Sequence, residues 1–322
     1  MTLQSRSRTL VTGASGFIAR HALEPIVRAG HEVIASTLVP PDEDLRHLAP
    51  HAITWRTDDL LAPGRAAELI DAVRPTHLLH AAWNAAPGKF WTAPDNERWL
   101  DVSLDLFTAF ARAGGRRAVG VGTCAEYDWT ALGDAPIKEH LTPRGRATLY
   151  ARAKSDLLDR ATDVFDRAVP PVSFAWARIF FLFGPHEHPD RLAAGLIRSM
   201  LLNHRAQCRS PGLVRDFIDS RDAGRALAEL MLSGATGPVN IASGLGVSLG
   251  DFARCAARAC GREDLLDLGN IMPADQPARL VADVTRLYDE VGFRPRYPLE
   301  PGLRDAVAWW RERLELTPME NG

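Results

Sequence analysis

The residues best suited to proton transfer are Tyr150 and Lys154, which stand four positions apart in the segment TLYARAKSDLL. Four residues is close to one turn of an α-helix, so both side chains would project from the same face. An ammonium beside a phenol favours the phenolate and would lower the tyrosine pKa towards neutrality. Such a phenol can exchange a proton with an alcohol or ketone oxygen. Because this spacing also arises by chance, its meaning depends on the elements around it.

A glycine-containing turn near the N-terminus predicts a dinucleotide site. Residues 8–12 read as a buried strand, Gly13 to Gly16 as a turn, 17–28 as a helix and 31–37 as a second strand. In this context the glycines let the backbone approach a pyrophosphate, which then lies at the helix N-terminus. The second strand ends at Ser36 and Thr37 with no acid before Asp42, and an acid there would repel a 2′-phosphate. We therefore predict NADP as the cofactor, with NAD as the alternative.

Strands and helices alternate through the first half of the chain. Further strands are predicted at 52–56, 77–81, 117–123 and 172–180, and helices at 65–73, at 95–113 and around Tyr150. This alternation predicts an α/β fold, a Rossmann-type doubly wound parallel sheet with ligands at the carboxyl ends of its strands.

The second half of the chain contains more loops. Helices are predicted at 192–202, 220–232 and 249–260, and a strand at 239–242. We predict a dinucleotide-binding domain over residues 1–172 and a smaller C-terminal α/β substrate lobe, mainly over 173–322, with some elements returning to the first domain.

The composition excludes several classes of protein. The chain has 322 residues, 46% hydrophobic and 24% charged, with net charge −2, which favours neither nucleic acid nor an anionic membrane. We see no signal peptide and no apolar run long enough to span a membrane, and therefore predict a cytoplasmic protein. His186 and His188 lack the cysteine or carboxylate partners of a metal site, so we predict no metal.

Taken in order, the motifs resemble the extended short-chain dehydrogenase/reductases, specifically the NAD-dependent epimerase/dehydratase group that modifies nucleotide sugars. The matching segments cover nearly the whole chain: Thr12 to Ala19 for T-G-x-x-G-x-x-G, Asp59-Leu60 for the Asp-Leu near adenine, His80-Ala81-Ala82 for H-x-A-A, Gly122 to Asp128 for S-S-x-x-x-Y-G, Tyr150 to Lys154 for Y-x-x-x-K, Arg178 to Pro185 for R-x-x-N-x-Y-G-P, and Arg215 to Ile218 for R-D-F-I.

The resemblance implies a role for each matched residue. Tyr150 would be the acid/base, Lys154 would lower its pKa and hold the nicotinamide ribose, and Thr123 would hydrogen-bond the reacting oxygen. Cofactor contacts would come from Gly13, Ser15, Gly16, Phe17, Ile18, Ser36, Thr37, Asp59, Leu60, His80, Ala81, Ala82, Tyr150 and Lys154. Substrate contacts would come from Trp83, Thr123, Arg215 and Arg279, because an arginine fork matches a diphosphate and an indole can stack on a substrate. The helices near 95–113 and 149–164 resemble the pair that forms the family's homodimer.

Several positions depart from the family pattern. Asp101 replaces a structural asparagine, and Phe181 replaces an asparagine that often touches the substrate diphosphate. Cys124 and Ala125 stand where dehydratases carry an acid, and Glu126 comes one place too late. This argues against a 4,6-dehydratase, which needs an acid/base there to remove the C5 proton.

We therefore predict an NAD(P)-dependent enzyme acting on a nucleotide-linked sugar, either a 4-epimerase or a 4-ketoreductase. One alternative is a reductase of a non-sugar ketone, against which Arg215 and Arg279 lining a phosphate site would argue. Another is a non-catalytic dinucleotide-binding regulatory protein, which would need none of Thr123, Tyr150 and Lys154.

Overall fold

The centre of the molecule is a seven-stranded parallel sheet, seen in a computed structural model that describes residues 7–48, 52–274 and 276–315. The strands in these ranges are β1 Arg8–Thr12, β2 Glu32–Thr37, β3 Ile53–Thr57, β4 His77–His80, β5 Arg117–Thr123, β6 Ser173–Ile179, β7 Phe181–Phe183, β8 Ala206–Cys208, β9 Val214–Asp219, β10 Gly237–Ile241, β11 Gly246–Ser248, β12 Leu266–Leu268 and β13 Arg279–Leu280. The central sheet has the order β10-β6-β5-β4-β1-β2-β3. This arrangement confirms the predicted Rossmann-type fold.

Helices cover both faces of the sheet. They are α1 Leu23–Arg28, α2 Glu43–Arg46, α3 Arg65–Val73, α4 Asp95–Arg112, α5 Leu149–Asp166, α6 Leu192–Leu201, α7 Ser220–Leu232, α8 Leu249–Cys260, α9 Thr285–Asp289 and α10 Leu299–Arg313. The apolar sides of α3, α4 and α5 pack on one face, and those of α1, α7 and α9 on the other. Both faces of β1 and β4 are therefore covered, so that every residue of these strands after the first is buried, including the polar Thr9, Thr12 and His80.

A smaller lobe lies after β6. Its four-stranded sheet contains β11, β9 and β13, with β7 paired to β9, and α6, α8 and α10 share a separate apolar core. Strands β6 and β10 belong to the central sheet instead, so the chain returns to the first domain after residue 172. Most strands of this lobe have two or three residues, too few for their alternation to be recognised in the sequence.

The predicted helix at 17–28 is divided. A 3₁₀ turn at Ala19–His21 comes first and α1 follows from Leu23. The turn packs against α7, where Gly224 lies directly on His21 and the carbonyl of Ile18. This contact fixes the chain just beyond the glycine turn.

Candidate active site

The glycine turn after β1 forms an open cradle at the carboxyl edge of the sheet. Gly13 has φ +67°, and a Cβ there would lie 2.8 Å from the Cα of Ala82. Gly16 donates its N–H to the carbonyl of Gly13 at 2.9 Å. A side chain at Gly13 would both strain the backbone and fill the space above Ala82. The residues present therefore fit the close backbone approach that a dinucleotide pyrophosphate requires.

Three hydroxyl residues predicted to contact the cofactor lie together at the end of β2. The hydroxyls of Ser15 and Thr37 are 2.5 Å apart, and Ser36 donates its hydroxyl to Asp58 at 3.2 Å. The N–H of Ala14 donates to the carbonyl of Ser36 at 3.1 Å, which ties the glycine turn to β2.

Asp58, and not Asp59, is the buried acid beside β2. Asp58 is ion-paired with Arg65 at 2.8 Å and Arg56 at 3.4 Å, whereas Asp59 is exposed and accepts the N–H of Leu61. Leu60 packs into the apolar core beneath the sheet. Asp58 is the first residue after β3, and its position at the strand end is the sequence signal that marks it as a neighbour of the site.

The imidazole of His80 supports the strand ends. Its Nδ1 lies 2.7 Å from the hydroxyl of Thr12, and its Nε2 lies 2.8 Å from the hydroxyl of Ser103. Burial lowers the pKa of His80 to about 3, so the ring is neutral at pH 7. The side chain thus joins β1, β4 and α4, and the backbone at Ala81 and Ala82 is what faces Gly13.

The predicted catalytic residues Thr123 and Tyr150 are brought together. Thr123 ends β5, and Thr148 caps α5 by accepting the N–H of Ala151 at 3.1 Å, which places Tyr150 in the first helical turn. The Thr123 side chain lies close enough to the Tyr150 phenol to lower its pKa, which opposes the effect of burial. A carbonyl oxygen bound between these two hydroxyls would be within reach of the phenolic proton.

The direction of the Tyr150 pKa differs from the sequence prediction. Burial raises it, and the negative charge of Glu126 adds to this effect, while the Thr123 side chain and the charge of Arg191 oppose it. The ammonium of Lys154 instead donates to the carbonyl of Val121 at 2.8 Å and lies over the indole of Trp83. Tyr150 is therefore protonated at neutral pH and suited to donate a proton.

Aromatic rings surround the phenol. The Tyr150 ring centroid lies 4.9 Å from that of Phe90, 6.0 Å from Trp91 and 6.3 Å from Trp83. The Tyr150 N–H also donates to the carbonyl of Trp91 at 3.1 Å, and Trp91 in turn meets Trp129. The wall beside the reacting position is apolar.

The carboxylate of Glu126 is held by groups other than the predicted catalytic residues Tyr150 and Lys154. Its carboxylate accepts the Thr123 N–H at 2.8 Å and the indole N–H of Trp176 at 2.9 Å, and it is ion-paired with Arg178 at 2.9 Å. Both members of the pair are almost fully buried. A carboxylate held by three buried donors is not free to remove a proton from a sugar carbon, which supports the argument against a dehydratase.

Arg215 is a buried cation beside the site. It is 3% exposed and donates to the carbonyls of Val214 and Pro277 and to the side chain of Gln276. Its guanidinium packs on Phe181, the residue that departs from the family pattern. Burial lowers the pKa of Arg215, and no carboxylate within the described ranges pairs with it. A buried guanidinium with only neutral partners favours an anionic ligand.

The expectation that Arg215 and Arg279 line one phosphate site is not met. In the parallel pairing of β13 with β9, Arg279 is opposite Val214 and Leu280 is opposite Arg215. Since neighbouring residues along a strand point to opposite faces, the two arginines project from opposite sides of the small sheet. The Arg279 guanidinium lies over Gly246. Of the two predicted arginines, Arg215 alone lies on the side of Cys124 and Thr123.

Across residues 7–48, 52–274 and 276–315, no three His, Cys, Asp or Glu side chains come together as a ligand set. His186 packs on the ring of Trp309 instead. No helix in the described parts of the chain is both long and apolar enough to cross a membrane.

Comparisons with known proteins agree with this geometry. Residues 9–242 match the model of the NAD dependent epimerase/dehydratase family. The chain is 33% identical to a dTDP-4-dehydro-6-deoxy-D-allose reductase of Streptomyces bikiniensis, with 94% of this chain and 95% of that protein covered. It is 26% identical to a UDP-glucose 4-epimerase of Azospirillum brasilense, with 94% and 92% covered.

Solved structures share the fold. A UDP-glucose 4-epimerase of Thermotoga maritima, crystallised with UDP-glucose, superposes with a TM-score of 0.83 at 19% identity and covers 95% of this chain and 99% of its own. A Thermus thermophilus UDP-glucose 4-epimerase in complex with NAD superposes with a TM-score of 0.81 at 23% identity, covering 94% and 99%. With its glycine cradle, its paired Thr123 and Tyr150 and a family match over most of its length, the chain belongs to the NAD dependent epimerase/dehydratase family.

Proposed function

We propose that this enzyme is a 4-ketoreductase of a nucleotide-linked 6-deoxy sugar. The observation that carries the proposal is the state of the two acidic groups beside the reacting position. Tyr150 keeps its proton, because burial raises its pKa, and Glu126 is held by Arg178, Trp176 and the backbone of Thr123. The site therefore offers one proton to an oxygen and no base for a carbon.

Each residue of the proposed site has a separate role in the reduction. The bound nicotinamide cofactor supplies the hydride to C4 of the sugar. Thr123 hydrogen-bonds the C4 oxygen and orients it, and Tyr150 gives that oxygen its phenolic proton. Arg215 binds the diphosphate remote from C4 and so fixes the sugar in the cleft. Lys154 lies next to the reacting position, and in its protonated form it stabilises the phenolate that proton donation leaves behind.

The aromatic wall supports the choice of a 6-deoxy sugar. Phe90 and Trp91 pack edge-to-face with Tyr150, and Trp129 packs against Trp91. A methyl at C5 of the sugar gains from contact with these rings, whereas a hydroxymethyl would bury a hydroxyl without a partner. The reductase of Streptomyces bikiniensis, to which this chain is 33% identical, has a 6-deoxy sugar in its name.

A 4-epimerase is the second candidate, supported by the match to the Azospirillum brasilense enzyme. Its first step takes a proton from the C4 hydroxyl, which requires Tyr150 to start as the phenolate. The match to that epimerase is at 26% identity, whereas the match to the Streptomyces bikiniensis reductase is at 33% over a similar share of the chain. For this reason we place the reductase first.

The cofactor and the assembly are part of the same proposal. Asp42, the first acid after β2, is ion-paired with Arg20 at 2.9 Å, so its charge is balanced and does not oppose a 2′-phosphate. We therefore propose NADPH as the preferred reductant. We also propose a cytoplasmic homodimer built on α4 and α5, to be tested by light scattering of the purified protein.

One assay tests the function. The protein is mixed with NADPH or NADH and a dTDP-linked 4-keto-6-deoxyhexose, and cofactor oxidation is followed. UDP-glucose is incubated in parallel with and without added NAD, and UDP-galactose is measured. We expect oxidation of NADPH with the keto sugar and no galactose. Galactose formation without cofactor turnover would establish the epimerase instead, and equal turnover of a ketone lacking the nucleotide would remove the nucleotide-sugar assignment.

A further inference from the structure

Trp83, the first residue after the Ala81-Ala82 backbone that faces Gly13, is held rigidly. Its indole N–H donates to the side-chain oxygen of Asn96 at 2.9 Å. Its ring stacks on Trp99 with centroids 6.0 Å apart and meets the edge of Tyr150 at 6.3 Å. An indole with its N–H satisfied and a neighbour stacked on it has little freedom to rearrange.

The ammonium of Lys154 lies on this fixed ring. The Nζ atom is 3.6 Å from the ring centroid of Trp83 and donates to the carbonyl of Val121 at 2.8 Å. Lys154 is 4% exposed. A desolvated ammonium at this distance from an indole face is strongly attracted by the ring's quadrupole.

We propose that Trp83 is a positioning residue, whose indole face holds the Lys154 side chain in its charged form beside Tyr150. Its relevance to hydride transfer rests on the proposed function, but the contact itself is a property of the folded chain. The ring was expected to stack on substrate. In the structure its contacts are with Lys154, Tyr150, Trp99 and Asn96.

The other ionisable groups near Lys154 do not hold it in its charged form in place of Trp83. Burial lowers the pKa of Lys154 to about 7, and the charge of Glu126, in the turn after β5, partly offsets that effect. Glu126 is already paired with Arg178. His80, on β4, is neutral at pH 7, and Tyr150, on the same helix, is protonated. The lysine is thus poised between its charged and neutral forms, where a modest attraction changes its state.

Asn96, which accepts the indole N–H of Trp83, also contacts the segment 84–94. Its side-chain N–H groups donate to the carbonyls of Phe90 and Ala93, both at 2.8 Å. Through Asn96, the orientation of Trp83 is therefore tied to the segment that packs Phe90 and Trp91 on Tyr150.

The composition makes a direct experiment possible, because the chain has only three lysines, Lys89, Lys138 and Lys154. Protein labelled with ¹³C-lysine gives three side-chain signals, and Lys154→Arg identifies the one to follow. That signal is titrated in the wild type, Trp83→Leu and Trp83→Phe. Trp99→Phe is the matched control, since it keeps a ring stacked on Trp83 and changes an indole that does not contact the ammonium.

We expect Trp83→Leu to lower the Lys154 pKa by about one unit, a roughly tenfold change in its protonation equilibrium. Trp83→Phe, which keeps a weaker π face, should give an intermediate shift, and Trp99→Phe should leave the Lys154 pKa unchanged. The ring-current displacement of the Lys154 signal should disappear in Trp83→Leu alone. An unchanged Lys154 pKa in that variant overturns the proposal, as does an equal shift in the Trp99 control.

If Trp83→Leu does not fold, Trp83→Phe tests the proposal. A Phe variant with the wild-type pKa and the wild-type chemical shift of Lys154 contradicts the proposal. The titration needs no substrate, so its result does not depend on the 4-ketoreductase proposal. That proposal fails separately if the wild-type protein is inactive on keto sugars. In an active enzyme, the alkaline limb of the kcat profile should move to lower pH in Trp83→Leu by the same amount.

Discussion

At the scale of single residues, the phenol of Tyr150 is the proton donor that the proposed reaction needs. Tyr150→Phe removes the transferable proton and leaves the ring among its aromatic neighbours. We expect kcat to fall by about two to four orders of magnitude, with cofactor binding nearly unchanged. Single-turnover kinetics and a cofactor fluorescence titration measure the two effects. Near-normal turnover would remove Tyr150 from the chemistry.

Arg215 carries the prediction about substrate charge. Arg215→Ala should weaken binding of the nucleotide sugar by about 2–3 kcal/mol, because a charge-assisted, bidentate contact is lost. This corresponds to a KM raised by roughly thirty- to a hundred-fold or more, with a far smaller effect on kcat, since the diphosphate is held alike in ground and transition states. Lysine should restore only part of the affinity, having the charge without the fork.

The opposite face of the small sheet supplies the control for Arg215. Arg279→Ala removes an arginine from the neighbouring strand whose side chain points away from Arg215. We expect its KM to stay close to the wild-type value. If both alanine variants raise KM equally, the two arginines share the ligand and our interpretation of the strand register is wrong. An unchanged KM in Arg215→Ala would remove that residue from the substrate site.

At the scale of elements, the contact of α7 with the turn Ala19–His21 holds the start of the dinucleotide cradle. A Cβ on Gly224 would lie 2.5 Å from both the Cβ of His21 and the carbonyl oxygen of Ile18. Gly224→Ala must therefore push the two elements apart. We expect a loss of about 1–3 kcal/mol in the free energy of unfolding, together with weaker cofactor binding. Urea denaturation and a cofactor titration test both parts.

Gly234, just beyond the end of α7, gives the matched substitution. A Cβ there meets nothing within 4 Å. Gly234→Ala should either leave the free energy of unfolding unchanged or raise it by about 0.5–1 kcal/mol. A similar loss in both variants would mean that the helix contact does not explain the effect of Gly224→Ala.

At the scale of the whole molecule, the loop 184–191 links the second lobe to the segment above Tyr150. Arg191 donates to the carbonyl of Ala85 at 2.9 Å and lies over the ring of Phe90. Glu187, in the same loop, is 5% exposed and accepts the N–H of Ala194 in the first turn of α6 at 2.9 Å. The global stability should therefore depend on the charge state of this buried acid.

Burial raises the pKa of Glu187 from its ordinary value of 4.5 to about 8, against the opposing effects of the Ala194 N–H and Arg191. Between these two values the folded protein holds a proton that the unfolded chain releases. The contribution of protonated Glu187 to the free energy of unfolding is thus fully present below pH 4.5. It is lost as the pH rises to about 8. Glu187→Gln keeps an acceptor for Ala194 and cannot ionise. We expect the stability of the variant relative to the wild type to rise by on the order of 4 kcal/mol between pH 5 and pH 8.

The free energy of unfolding of both proteins is measured by urea denaturation at several pH values. Since both contain the same histidines, the difference between the two curves reports Glu187 alone. Asp190→Asn is the control, because it removes an exposed carboxylate of the same loop. Its free energy of unfolding should follow the wild type at every pH. Parallel pH curves for wild type and Glu187→Gln would show that Glu187 ionises normally.

The sequence by itself determined the Rossmann-type fold and the helix that carries Tyr150 and Lys154. Strand β1, the glycine turn, α3 at Arg65–Val73 and α7 at Ser220–Leu232 were predicted at or near their observed limits. Helical and extended periodicities arise from neighbours in the chain, so local patterns reveal them. The same holds for Tyr150 and Lys154, whose shared helix follows from their spacing.

Only the tertiary structure decided which side chains meet. Glu126 is held by Trp176 and Arg178, Lys154 lies on Trp83, and Arg215 and Arg279 point to opposite faces of one sheet. The burial of Asp58, whose N–H donates to the carbonyl of Thr37, depended likewise on how β3 packs beside β2. A shift of one residue in strand register reverses the face of every side chain, and no local pattern encodes that register between distant strands. The pKa directions of Tyr150 and Lys154 follow from burial, which arises only when these distant elements pack together.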